Sequence, residues 1–173
     1  MNVSYENNLE DMVALTRHQL STDAAYNRCR RWNLYGSPLF LLNLFGIFAY
    51  LAPSRHKIAF LAGGVIGALA SLLWALHTYR DFARKAVQKL NREKPQKGVF
   101  CHHTITISAD GLSEQTAESR GFHTWRALFD IAFTPDHIFL YNTPVTAYII
   151  PRRELGDAQF REVSDELRRL RSA

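Results

Sequence analysis

Two apolar stretches in the first half of the chain constrain its fold more than any other feature. They cover Leu34 to Ala52 and Ile58 to Tyr79, and neither contains an acidic or basic side chain before His77. About twenty apolar residues in a helix cross the ~30 Å hydrocarbon core of a bilayer. Only the segment Pro53 to Lys57 joins the two stretches. The pattern therefore predicts a transmembrane helical hairpin with a tight turn.

Basic residues are distributed unequally on the two sides of this hairpin. Between Arg17 and Lys97, eleven Lys and Arg side chains flank the apolar stretches, whereas the turn contains only Arg55 and Lys57. Because cytoplasmic flanks of membrane helices carry an excess of Lys and Arg, both termini are expected in the cytoplasm. The bilayer is the expected partner of this charge, and nucleic acid is not, since no nucleic-acid-binding motif accompanies it.

The distribution of apolar and charged residues predicts four segments. An N-terminal strand and amphipathic helix occupy residues 1–33, and the transmembrane hairpin occupies 34–79, with spans 34–52 and 58–79. A basic helical stem follows over 80–97, continuous with the second span. The cytoplasmic β domain with a C-terminal helix occupies 98–173. Asp23 is a good N-cap for a helical segment that enters the membrane, and Pro95 is expected to end the stem helix.

From Val99 onward the hydrophobic period changes to two, which is typical of β-strands. Asp110-Gly111 between alternating segments is a strong hairpin signal. With Val3 to Tyr5 included, seven strands are expected. The others are Val99 to Ser108, Leu112 to Thr116, Phe122 to Trp125, Leu128 to Phe133, His137 to Tyr141 and Val145 to Ile150.

The last helix is expected to be capped by Asp157 and to bury a stripe of apolar residues. That stripe consists of Phe160, Val163, Leu167 and Leu170. Seven strands and a C-terminal helix are the element list of a pleckstrin-homology-like (PH-like) barrel. The predicted fold class is membrane α+β, in which a two-helix transmembrane hairpin is inserted in a split antiparallel β domain.

Several features together resemble the YcxB-like bacterial membrane proteins. They are the N-terminal helix, the two-span hairpin, the strand pair around Asp110-Gly111, the Trp125 segment followed by Phe139-Leu140-Tyr141, and Ile149-Ile150-Pro151-Arg152-Arg153 before the last helix. The resemblance implies a small inner-membrane protein with a cytoplasmic domain similar to bacterial PH folds. It implies no assigned catalytic residues and no known biochemical role.

Cys101 and His103 are the residues most suggestive of metal or nucleophile chemistry. Alternate strand residues share a face, so these two side chains would face one ion together, with His123 or His137 as distant partners. A Cys101 and His123 nucleophile pair lacks any local signature. Buried core positions explain Cys101 and His103 more simply. We therefore expect no catalytic residue, no metal and no cofactor, and a protein that is not an enzyme.

Small residues recur every four positions along one face of the second span. Such a seam lets helix backbones approach closely. It is expected to receive the first span of the same chain, with homodimerisation as the alternative. Asn43, near the middle of the first span, is expected to hydrogen-bond within this packing, with Ser71 or Asn43 of another copy among its partners. The seam residues are Ala59, Gly63, Gly67, Ser71 and Ala75.

Arg152 and Arg153 follow Pro151 and are the residues that we assign to contact with a lipid headgroup or a partner, although a solvated turn would also explain them. The function expected first is a non-enzymatic interaction module at the membrane surface, for an unknown protein partner or anionic lipid. An immunity-type or structural membrane subunit is the alternative, and a membrane-bound enzyme is the weakest hypothesis.

Overall fold

The computed structural model describes residues 1–93 and 98–171. They form two compact units, one built from Met1–His18 and the chain from Ala86 onward, the other from Gln19–Lys85. The predicted helix stop at Pro95 lies outside the described residues. The elements in chain order are β1 (Asn2–Glu6), α1 (Leu9–Thr22), α2 (Ala24–Arg31), α3 (Ser37–Leu51), α4 (Lys57–Arg80), α5 (Phe82–Glu93), β2 (His102–Ile107), β3 (Gly111–Gln115), β4 (Arg120–Thr124), β5 (Asp130–Phe133), β6 (His137–Tyr141), β7 (Ala147–Pro151) and α6 (Arg152–Arg171).

The unit Gln19–Lys85 contains the two long apolar helices. α2 continues through a π-helical turn at Trp32–Gly36 into α3. The predicted cap is confirmed, since the Asp23 side chain accepts a hydrogen bond of 2.8 Å from the Tyr26 N–H. Gly36 lies directly under the Trp32 ring, and a β-carbon at this position would overlap the ring. The absence of a side chain at Gly36 therefore lets the aromatic ring pack against the helix.

The predicted continuous helix through the second span and the stem is wrong. α4 ends at Arg80, and Asp81 leaves the helical region with φ −111° and ψ 9°. The Asp81 carbonyl then accepts a hydrogen bond of 2.9 Å from the Lys85 N–H, so a new helix starts here. Aspartate is favoured at such helix starts, which explains the break in a sequence otherwise rich in helix-forming residues.

The strands form two antiparallel sheets, one in the order β1-β2-β3-β4 and the other in the order β5-β6-β7. Val3 lies opposite Ile105, so the predicted N-terminal strand does join the strands after Val99. The Asp110-Gly111 hairpin is also confirmed, closed by a hydrogen bond of 3.0 Å from the Ser108 N–H to the Gly111 carbonyl. Trp125, predicted as the end of a strand, instead starts a short 3₁₀ turn.

The main core lies where the two sheets and α6 meet. Each sheet contributes alternate side chains from one face, as the period-two pattern requires. α6 contributes the predicted stripe, with Val163 and Leu167 completely buried. The buried members of this core are Val3, Tyr5, Ile105, Ile107, Leu112, Ile131, Ile138, Leu140, Ile150, Phe160, Val163 and Leu167.

A second buried cluster covers the opposite face of the three-stranded sheet. Leu15 of α1 packs with Phe139, Tyr141 and Ile149. Both faces of β6 are therefore buried, one by the main core and the other by α1. The N-terminal segment contributes to this domain twice, as an edge strand and as a covering helix.

The main segment of the C-terminal helix begins after Gly156, as predicted, and a short helical turn precedes it. α6 starts at Arg152 and is interrupted at Gly156, where φ is 74°. Positive φ is readily available only to glycine, so this residue permits a short helical turn before the main segment. Asp157, predicted as the cap, accepts a hydrogen bond of 2.8 Å from the Arg152 guanidinium.

A fragment from Gly98 to the C-terminus should not fold by itself. It lacks β1 and the helix that covers one face of β6, so an unpaired edge and apolar surface would face water. Joining Met1–Thr22 to it through a flexible linker should restore folding. Dispersion of amide-proton NMR signals would report both results.

In the fused protein, Leu167→Asp should abolish folding, since deletion of the buried leucine alone costs roughly 3 kcal/mol and a buried charge adds to this. A well-dispersed spectrum from the fragment without Met1–Thr22 would contradict the two contributions assigned to the N-terminal segment.

Candidate functional site

The packing of α3 against α4 depends on glycine. A β-carbon at Gly64 would lie 2.7 Å from Cβ of Phe45, and one at Gly63 would lie 3.1 Å from Cε1 of the Phe45 ring. A β-carbon at Gly67 would be in ordinary contact with Leu41, at 3.8 Å. The two helices therefore lie close together around Phe45, where α4 presents no side chain.

The predicted seam residues are not equally involved in this packing. Ala75 is buried, with 1% of its surface exposed. Gly63, Gly67 and Ser71 are half-buried, whereas Ala59 is exposed. The sequence analysis missed the buried residues Gly64 and Ala68, which lie one position further along the helix. A repeat of four drifts around a helix of 3.6 residues per turn, so two adjacent rows of small residues share the contact.

Asn43 lies on the exposed surface of α3. Its Nδ2 donates a hydrogen bond of 2.9 Å to the Leu39 carbonyl of the same helix. Likewise, the Ser71 hydroxyl donates a hydrogen bond of 2.9 Å to the Ala68 carbonyl within α4. Each of these side-chain donors is thus paired with a carbonyl of its own helix, which lowers the cost of placing it in apolar surroundings.

Gly64→Ala should weaken the packing of the two helices, because the added methyl group overlaps Phe45 and must push the helices apart. Gly46→Ala is the matched control, since a β-carbon there meets nothing within 4 Å. Both changes raise intrinsic helix propensity by about 1 kcal/mol, so propensity cancels in the comparison. In detergent, the thermal midpoint should fall for Gly64→Ala and stay equal or rise for Gly46→Ala. The opposite order would contradict the assigned contact.

A buried carboxylate, which the sequence analysis did not identify, joins three parts of the β domain. Asp11 in α1 is 2% exposed. It accepts hydrogen bonds from the Arg153 guanidinium at 2.7 Å, the His137 imidazole at 3.0 Å and the Asn8 N–H at 2.8 Å. Burial raises the pKa of Asp11. The hydrogen bonds from His137 and Asn8 and the charge of Arg153 have the larger effect, so the net pKa lies below its usual value. Asp11 therefore stays ionised and fixes α1 to the domain.

Arg152 and Arg153, assigned to lipid or partner contact, make ion pairs within the chain. Arg153 donates to Asp11, to the Glu6 carbonyl at 2.7 Å and to Glu154. Arg152 pairs with Asp157 and also donates to the Pro135 carbonyl at 3.1 Å. Internal ion pairs account for both residues, and Arg153 in particular has a partner that is almost completely buried.

Cys101, His103 and Glu114 lie in the order of a nucleophile, a base and an orienting carboxylate. The Cys101 Sγ is 3.6 Å from Nε2 of His103, and Nδ1 of His103 is 2.7 Å from Oε1 of Glu114. However, Nε2 also lies 3.1 Å from the Val99 carbonyl oxygen. Two acceptors that face both ring nitrogens favour a doubly protonated imidazolium.

The surroundings of this group oppose activation of the Cys101 thiol. Burial lowers the pKa of His103, but Glu114 and the Val99 carbonyl raise it more, so the net pKa is above its usual value. Burial and nearby carboxylates, Glu114 first, raise the pKa of the Cys101 thiol. A raised thiol pKa disfavours the thiolate, and a ring whose two nitrogens both face acceptors is poorly placed to accept a proton from Cys101. Among the described residues, no three His, Cys, Asp or Glu side chains are grouped to hold a metal ion.

The His103–Glu114 pair should make stability depend on pH. Because the pKa of His103 is higher in the folded state than its unfolded value of about 6.5, its contribution is fully present below that pH. The contribution is lost as pH rises through the folded pKa. The free energy of unfolding in detergent should therefore fall above about pH 6.5, and Glu114→Gln should flatten this dependence.

His102→Gln is the control, because His102 is the exposed neighbour on the same strand. This variant should keep the wild-type pH profile. An identical decline in wild type and Glu114→Gln would show that another group causes it.

A cleft of about 620 Å³ in the β domain lies beside Trp125. The Trp125 N–H is held by the Ser108 and Ala109 carbonyls at 3.0 and 3.1 Å. Arg171 closes one side, paired with Asp130 at 2.7 Å. Other lining residues include Arg126, Ile131 and Leu170. The cleft is therefore lined by both apolar and charged side chains.

The chain contains two long apolar helices, two antiparallel sheets and a C-terminal helix, which define the class as α+β with an apolar helical hairpin. Residues 107–167 match the model of a known family, the YcxB-like proteins, which confirms the resemblance for that segment. The match runs from the end of β2 through most of α6. No curated protein matches the chain.

Proposed function

We propose that α3 and α4 anchor this protein in the bacterial inner membrane, with both termini in the cytoplasm. The β domain then acts, without catalysis, as an interaction module at the membrane surface. A membrane association is already indicated by the two apolar helices. The proposal adds the crossing, the orientation and the role of the domain.

The observation that carries the proposal is the exposed apolar surface of the two helices. In an apolar segment of 18 residues from each helix, only 6% and 17% of the residues are buried. The core helix of a soluble protein is mostly buried. Large side chains such as Phe40, Ile66 and Leu73 are 58 to 66% exposed. Gly64, Ala68 and Ala75 are buried while most of the large apolar side chains are exposed, which is the arrangement expected when lipid is the surrounding solvent.

The β domain supports a binding role more than a catalytic one. Its two sheets and closing C-terminal helix are compatible with a PH-like module, and both ring nitrogens of His103 lie against hydrogen-bond acceptors, Glu114 and the Val99 carbonyl. The cleft beside Trp125 is lined by apolar and charged side chains, which suits a short segment of a protein partner or a lipid headgroup. We assign the binding function to this domain and the anchoring function to α3 and α4.

Labelling of single cysteines tests the crossing and the orientation. In a background without Cys29 and Cys101, Ser54→Cys in the turn between α3 and α4 should react with an impermeant maleimide in spheroplasts. Ser119→Cys, in the exposed turn between β3 and β4, should react only in inverted vesicles. The physical reason is the excess of Lys and Arg on the flanks over the turn.

Both variants serve as controls for each other, because each residue is exposed in the structure. Equal labelling of the two sites from one side would mean that the hairpin does not cross. The reversed pattern would place the β domain outside the cytoplasm and remove the proposed function.

A further inference from the structure

α5 has an unusual distribution of charge directly after the second apolar helix. It begins at Phe82, two residues after α4 ends at Arg80. Its basic residues are Arg84, Lys85, Lys89 and Arg92, and its single acidic residue is the last one, Glu93. If α4 crosses a bilayer, chain connectivity alone places the start of α5 at the level of the lipid headgroups.

Only part of the apolar face of α5 is buried. At 100° per residue, Ala83 and Val87 share one row, and they are 8% and 4% exposed. The adjacent row contains Phe82, Ala86 and Leu90. Phe82 is 40% exposed and Leu90 is 43% exposed. Two large apolar side chains of this helix therefore remain in contact with the surroundings.

A row of cations lies on the other side of this exposed apolar row. Lys85, Lys89 and Arg92 are three or four positions apart and all three are exposed. Lys89 is 3.8 Å from Glu93, a solvent-exposed pair of the kind that contributes little. The surface of α5 thus has three parallel strips, which are buried apolar, exposed apolar and basic.

An exposed apolar row beside a basic row is typical of helices that lie at a membrane interface. Lys and Arg there attract anionic lipids, while large apolar side chains enter the boundary of the acyl region. A nucleic-acid site would use the basic row but not the apolar row beside it. Leu90 would then have no role, and Phe82 only its ring contact with Tyr26 at 5.7 Å. The combination of the two rows favours a lipid surface.

We propose that α5 is a binding site for anionic phospholipid. Lys85, Lys89 and Arg92 contact the phosphates, and Phe82 and Leu90 enter the acyl boundary beside them. This site rests on the proposed anchoring of α3 and α4, and it adds a lipid preference that the anchor itself does not supply. The β domain would then be held at the membrane surface by a helix that binds anionic lipid.

The test uses the full chain, without Cys29 and Cys101, in lipid nanodiscs. A fluorophore on Leu90→Cys reports contact with brominated lipid, which quenches it. Brominated phosphatidylglycerol and brominated phosphatidylcholine are compared, so that the ratio of their association constants gives the preference for anionic lipid. We expect a clear preference for phosphatidylglycerol, because each basic residue near an anionic surface contributes up to ~5-fold.

Changing Lys85, Lys89 and Arg92 together to Gln should lower that ratio on the order of tenfold or more. The matched control removes the same charge elsewhere, as Arg17→Gln, Arg120→Gln and Arg161→Gln, all exposed outside α5. This control should keep the wild-type ratio. Equal thermal midpoints for the two triple variants would establish that both are folded.

Three results would overturn the site while leaving the anchor intact, as judged by normal labelling at Ser54→Cys. They are no quenching at position 90, equal quenching by both lipids, and an unchanged ratio in the α5 variant. Loss of DNA binding in that variant without any lipid preference would favour nucleic acid instead. Abnormal labelling at Ser54→Cys would mean that the proposed anchoring itself had failed.

Discussion

Coverage of the three-stranded sheet on both faces is the constraint on which the β domain depends. A strand buried on both sides must be apolar at nearly every position, and β6 has buried side chains at Ile138, Phe139, Leu140 and Tyr141. α6 and the other sheet protect one face, and α1 protects the other. Without α1, the ring of Phe139 and the side chain of Ile149 would be exposed to water, which explains why the N-terminal segment belongs to this domain.

The polar contacts of α1 specify its position on that sheet. The Leu15 cluster supplies apolar contact, which is not directional. Asp11 adds direction, because its hydrogen bonds with Arg153 and His137 have fixed geometry. Removing Arg153 would leave the buried Asp11 carboxylate without its charged partner, a loss that solvent at the 40%-exposed Arg153 side chain partly screens. The ion pair therefore fixes the register of α1, whereas burial of its apolar face provides most of the attraction.

Local patterns predicted the elements well, and contacts between distant residues were the part that they could not supply. The hairpin at Asp110-Gly111 and the cap at Asp23 depend on neighbouring residues, and both were predicted. Asp11 was missed because an acidic residue in the first turn of a helix is normally a solvent-exposed residue that favours the helix dipole. Its burial depends on Arg153, 142 residues away. For the same reason, spacing alone did not show that Gly64 would lie under Phe45.

The separation of Met1–His18 from the rest of its domain has a consequence for synthesis. Residues 19–85 emerge from the ribosome before the strands that β1 and α1 must join. At about 5 to 20 residues per second, the N-terminal segment waits several seconds for its partners. During that interval β1 has an unpaired edge and α1 an uncovered apolar face, both open to chaperones or to the membrane surface. Because the chain is synthesised from its N-terminus, the hairpin is made before the β domain can be completed.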